Sequence, residues 1–295
     1  MKYKTLLSLA VPLAVLLNAC TNEEEHSPES ESGSIEMEVL HSLNGNPLIT
    51  HEFIYTNAAG NPYMVTEVQW FISELRLIRK NGDMLHIEDE EGIYYVDTDL
   101  AETLNINPAD GIPTGTYKGI SFTLGFNESQ NISNRFVNPP ESFMFWPLYL
   151  GGGYHYLKLN GKWENDKGQF PSFNFHLGIG QLYDSTAKKS QMLDLAECCA
   201  PLHCEGYDPP DDYKLLPITE FIHNHMEVVL DDVEFEVVAE NTTQLILEMK
   251  IENWFQNPHI YDHNHWGGSI MQNQQAMKLG CENVHDVFEL KLRRR

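Results

Sequence analysis

The sequence predicts an all-β protein, an antiparallel β-sandwich of jelly-roll or immunoglobulin type. Apolar residues recur with period two along many short runs, the pattern of half-buried strands. Gly, Pro and Asn cluster between those runs, at 44–47, 81–83 and 112–115, where turns belong. Helical periodicity is scarce, and no internal repeat points to a propeller or solenoid.

The elements follow in order. Ile35, Met37 and Val39 alternate with polar residues. Residues 68–77 are rich in Trp, Phe, Ile and Leu and are expected to pair with the next run, 93–96, which Asp97 ends. Residues 117–126 alternate through Ile120, Phe122 and Leu124, and residues 154–159 and 170–176 do the same with aromatics. On that last strand His176 points away from Phe173 and Phe175. Residues 226–238 and 244–251 predict a long hairpin turning at 239–243. One or two short helices are expected: a turn at 131–136, and a helix over 270–279 with Ser269 as N-cap and Gly280 as its stop.

Residues 181–220 read as a long insertion holding Cys198, Cys199 and Cys204, with Cys281 further on. Disulfides among these four would staple it, with the connectivity open. The chain begins with Lys2 and Lys4, then an apolar run over 6–17 that is too short to span a bilayer. It closes on Leu17-Asn18-Ala19-Cys20, which resembles the lipobox of a bacterial lipoprotein. That resemblance implies a signal peptide over 1–19 and a lipidated Cys20, with several acyl chains giving stable anchorage to the membrane. Residues 20–34 then form an acidic tether too polar to fold, and 35–292 form a single domain. The Glu23-Glu24-Glu25 cluster resembles the surface-export signal of Bacteroidetes lipoproteins, so the expected location is the outer membrane, facing the periplasm or the cell surface.

Composition narrows the function. A net charge of −24 excludes a phosphate-binding face, and hence a nucleic-acid partner. There is no Gly-x-Ser-x-Gly elbow, no phosphate-cradling Gly-Lys loop and no His-Glu-x-x-His, so a non-enzymatic protein is expected. Histidines concentrate in His223-Asn224-His225 and in His259 to His265. On a strand, His223/His225 and His263/His265 would each project to one face as an alternative metal chelate, with Asp262 beside the second pair. Exposed Tyr261 and Trp266 would instead suit a surface glycan- or protein-binding lipoprotein with no metal.

Several segments, read together, carry a resemblance. These are Val68 to Leu77, Pro113 to Gly125, Met144-Phe145-Trp146, Gly153 to Gly161, Phe175-His176-Leu177-Gly178, Gly268 to Gln272 and Asp286-Val287-Phe288. Their order and spacing resemble the MbnP family of extracytoplasmic copper-binding proteins. The resemblance implies a β-sandwich holding copper on histidine imidazoles and on a tryptophan oxidised to kynurenine by a partner di-haem enzyme. Trp146 and His176 occupy the matching positions. Where relatives have a second Trp, this chain runs Trp146-Pro147-Leu148-Tyr149, and it has no His at 138–142. His155, on the following strand, is the candidate third metal residue. The implied role is copper capture or handover.

Overall fold

A computed structural model describes residues 31–87, 92–108, 110–187, 193–194 and 214–293. The signal peptide, Cys20, most of the tether, and Cys198, Cys199 and Cys204 lie outside them. The main strands are β1 (Ser32–Leu43), β2 (Pro62–Arg79), β3 (Ile93–Asp97), β4 (Gly115–Leu124), β5 (Leu157–Trp163), β6 (Ser172–Leu177), β7 (Met226–Leu230), β8 (Phe235–Val237), β9 (Thr242–Lys250) and β10 (Phe288–Leu292). The larger sheet runs β6-β5-β2-β4-β7, with β3 on β2 and β8 on β4. The smaller runs β10-β9-β1.

Alternation decides which residues meet between the sheets. Met37, Val39, Leu245, Leu247 and Leu290 of the small sheet face Val68, Trp70, Phe122, Leu159 and Phe175 of the large one in a single core. Phe288 locks the layers together, its ring centroid 5.2 Å from both Trp70 and Phe122. Such aromatic pairs each add about 0.5–1.5 kcal/mol beyond the area they bury. The middle of β2 is buried on both faces. Its second face carries Phe71, covered by Phe126, Met144, Tyr154 and Tyr156 of the segment that joins β4 to β5.

The expected pairing of 68–77 with 93–96 is present, from Gln69 opposite Asp97 to Ser73 opposite Ile93. The expected hairpin of 226–238 with 244–251 is not. β7 and β8 both pair with β4 in the large sheet, whereas β9 crosses to the small sheet. There β9 lies parallel to β1, whereas the other strand pairs among the described residues run antiparallel, apart from an isolated parallel bridge. Both runs alternate correctly, but they face each other across the core and do not pair edge to edge.

The helical expectations also shift. Ser269 forms a bridge with Asn174 and lies ahead of the helix start, so it is not the cap. Helix α2 (Gln274–Asn283) begins instead at Asn273, whose side chain accepts from the Ala276 amide, and Gly280 lies buried inside it. The residues at 131–136 form turns and no helix. Helix α1 (His263–Trp266) stands where a strand or loop was expected, capped by Asp262. Cys281 carries a free thiol, so it staples no insertion. Its sulfur faces Asn224 O at 3.7 Å, and burial pushes the thiol up to about 12.

The β5–β2 register shifts between Asn160 and Gly161. A Cβ at Gly161 would stand 2.1 Å from Met64 O and 2.5 Å from Phe173 Cζ. Gly161→Ala is therefore expected to destabilise the protein by about 1–3 kcal/mol, as overpacking does, read from the urea midpoint. An unchanged midpoint would show that β2 can yield at this bulge.

Candidate metal centre

The bulge leads directly to the site. Residues Glu141–Met144 form a turn of 3-10 helix on the way to Trp146. Trp146 N–H donates to Gly153 O at 2.8 Å, and His155 N–H to Met144 O at 2.6 Å. These bonds bring the Trp146 ring edge-to-face against His155, with centroids 4.7 Å apart. The chain then enters β5, where Leu157 pairs with Leu177 and Lys158 with His176. That register puts His176 edge-to-face on His155 at 4.8 Å. Trp146 is fully buried, and His155 and His176 are 5% and 9% exposed. Gly178 makes room for the indole, since a Cβ there would lie 2.7 Å from its benzene carbons.

The hydrogen bonds leave two nitrogens over. His155 Nδ1 is 2.9 Å from Met144 O. A carbonyl only accepts, so Nδ1 carries the proton and Nε2 carries the lone pair. That Nε2 is buried without a partner, and so is His176 Nδ1. His176 Nε2 lies 2.7 Å from Asn160 Oδ1. Burial, then the Lys158 charge, pushes His176 down to about 3. Burial, followed by His176 and Lys158, holds His155 well below its usual value. Both imidazoles are therefore neutral at pH 7. Trp146 Nε1 donates to Leu150 O at 3.2 Å, and an intact indole offers no lone pair in its ring plane.

Two neutral imidazoles with free nitrogens suit a borderline or soft metal ion. A structural zinc site takes four protein ligands, whereas here only two stand ready, with a tryptophan as neighbour. The residues thus fit a borderline or soft metal ion, copper among them.

Of the alternative residues, His223 and His225 each also keep a buried Nδ1 without a hydrogen-bond partner, and burial, followed by His223, holds His225 below its usual value. His223 and His225 flank Asn224, which is held inward by Gly178 O and Gln274. His223 Nε2 is 3.6 Å from the Glu128 carboxylate. His263 and His265 sit on α1, where a two-residue step turns side chains about 200° apart, so they cannot share one face as on a strand. His265 packs on Trp266 at 4.5 Å. His263 is sealed in an aromatic box, stacked on Phe173 at 4.4 Å and Trp163 at 5.7 Å, with neither nitrogen partnered. Tyr261 is 1% exposed and so presents no face to a sugar.

One group escaped sequence reading. Glu67, Asp97 and Asp99 bring carboxylate oxygens within 4.8 Å of one another. The signal was partly available: Asp97 and Asp99 alternate at the end of β3, and the β2–β3 pairing brings Glu67 alongside. Asp97 already accepts from Gln69 Nε2, the Tyr95 hydroxyl and the Asp99 amide. Such an oxygen set suits hard cations and not copper.

The buried histidines set a pH dependence. Burial pushes His41 down to about 4 and His263 to about 3, joining His155 and His176. The unfolded chain takes up protons below about 6.5, whereas the folded one does not. Stability is therefore complete above that pH and falls as the pH drops toward the folded values, by at most about 1.4 kcal/mol per unit per histidine. Urea unfolding is expected to show a large loss between pH 7 and pH 5. His263→Phe should reduce that loss by up to about 2 kcal/mol, since phenylalanine suits the box. An equal loss in the variant would mean that His263 is charged when folded.

The profile of the MbnP family matches residues 32–272. The fold is similar to a solved structure titled MbnP from Methylosinus trichosporium, with a TM-score of 0.53 and 12% sequence identity. The likeness covers 90% of this chain and 100% of that one. No curated protein matches the sequence.

Proposed function

We propose, from the premise that this chain belongs to the MbnP family, that it is a non-enzymatic copper-binding protein of the cell envelope, acting in copper capture or handover. One observation carries the reading: two buried, neutral imidazoles, 4.8 Å apart, each keep a ring nitrogen without a hydrogen-bond partner. Leaving a buried polar atom unpaired costs about 1–3 kcal/mol, and a bound cation removes that penalty at both nitrogens.

His155 Nε2 and His176 Nδ1 are the donors in this reading. Met144 O holds the His155 ring in the tautomer that exposes Nε2. Trp146 walls the site and excludes water while it remains an indole. Oxidised to kynurenine by a di-haem partner, it would add an amine donor. Copper supplies the affinity for imidazole nitrogen that no hard cation matches. The Leu17 to Cys20 motif supports a lipid anchor at Cys20 in the outer membrane.

The test uses the mature protein and a chromogenic cuprous chelator as competitor. Stoichiometric copper is expected for the wild type. His155→Ala and His176→Ala should each lose far more than the about 10–100-fold typical of an outer hydrogen-bond partner. Equal affinity in both variants would remove the site. For Trp146, the peptide isolated from the native host is expected to carry added mass, and an unmodified peptide would remove the oxidised ligand.

A further inference from the structure

Asn160 stands between the candidate centre and the acidic group. Its register partner on β2 is Glu67, and His176 lies diagonally across on β6, opposite Lys158. The Asn160 amide bonds in both directions: Nδ2 donates to Glu67 Oε2 at 3.0 Å, and Oδ1 faces His176 Nε2 at 2.7 Å.

We propose that Glu67 is a positioning residue for the metal centre, selecting through Asn160 the tautomer of His176 that frees Nδ1. The inference rests on the copper reading for its purpose but not for its chemistry. An ionised carboxylate only accepts, so Glu67 must face the NH2 of Asn160. The other end of the amide, its carbonyl oxygen, then faces His176. That oxygen also only accepts, so the facing Nε2 must carry the proton. A neutral imidazole has one N–H, which leaves the lone pair on Nδ1, the buried atom without a partner. Each choice forces the next, beginning from a residue that does not touch the histidine.

Without Glu67 nothing compels the amide orientation. Turned over, it would present NH2 to His176 and make Nε2 the acceptor. Nδ1 would then carry the proton and could not bind a metal without losing it. Met144 O performs the same service for His155 directly. The two rings are thus set by different devices, one a single carbonyl and the other a relay through two side chains. Hydrogen-bond partners that orient a metal-binding side chain in this way are typically worth about 10–100-fold in metal affinity.

The test has two readouts. In the metal-free mature protein, labelled with nitrogen-15 at histidine, long-range proton–nitrogen correlation spectra report the tautomer of His176. The wild type is expected to carry its proton on Nε2. Glu67→Leu and Asn160→Leu should each lose that preference. Cuprous affinity, read by chelator competition, should fall about 10–100-fold in both variants. A wild-type proton on Nδ1 would overturn the proposal without any variant having to fold. So would a Glu67→Leu protein with unchanged tautomer and affinity. If the wild type binds no copper yet Glu67→Leu still switches the tautomer, the copper reading falls and the relay stands.

Discussion

The β5–β6 register is the constraint on which the site depends. Pairing Lys158 with His176 puts the imidazole beside His155, which enters β5 from the preceding loop. It also sets Asn160 at hydrogen-bonding distance from the ring. A slip of one residue would turn His176 into the core and Phe175 out. The slip is opposed by Leu157, Leu159, Phe173, Phe175 and Leu177, all in the central cluster. Hydrophobic burial on one face of the sheet thus holds polar chemistry in register on the other.

The strands were legible because alternation is local. Ile35, Met37 and Val39, or Phe173 and Phe175, declare their buried side within a few residues, and the parity of His176 follows. Partner choice is not local. The runs at 226–238 and 244–251 look like a hairpin because each alternates well, and nothing within them says that the chain changes sheets between them. Ser269 looked like a helix cap for the same reason. Its competing bridge to Asn174 comes from a residue almost a hundred positions away.

Trp146 and His176 are marked by motif resemblance, and His155 by its place on the next strand; the fold brings all three rings together. What the sequence could not reveal was the hydrogen-bonding shell. Glu67 is an ordinary acidic residue on a strand until β2 pairs with β5. Asn160 lies inside a recognisable segment, but its two bonds exist only across three strands. His263 shows the reverse problem. A histidine within a His- and Asn-rich stretch reads as polar, yet an aromatic box encloses it completely.

His263 and the His155–His176 pair are alike in burial and in neutrality. They differ in what surrounds the free nitrogens. Around His263 the neighbours are aromatic rings, Phe173 and Trp163 stacked and Phe255 and Tyr261 edge-on. At the His155–His176 pair two nitrogens without partners belong to adjoining rings, and the surrounding groups are tied to each other. Met144 O fixes His155, the neighbouring Phe143 O takes the Lys158 ammonium at 2.5 Å, and Trp146 follows two residues later. One short stretch of backbone therefore sets the tautomer of His155, restrains the Lys158 ammonium and places Trp146 against the imidazole. Orientation, electrostatics and packing are not independent properties here, because moving residues 143–146 would disturb all three at once.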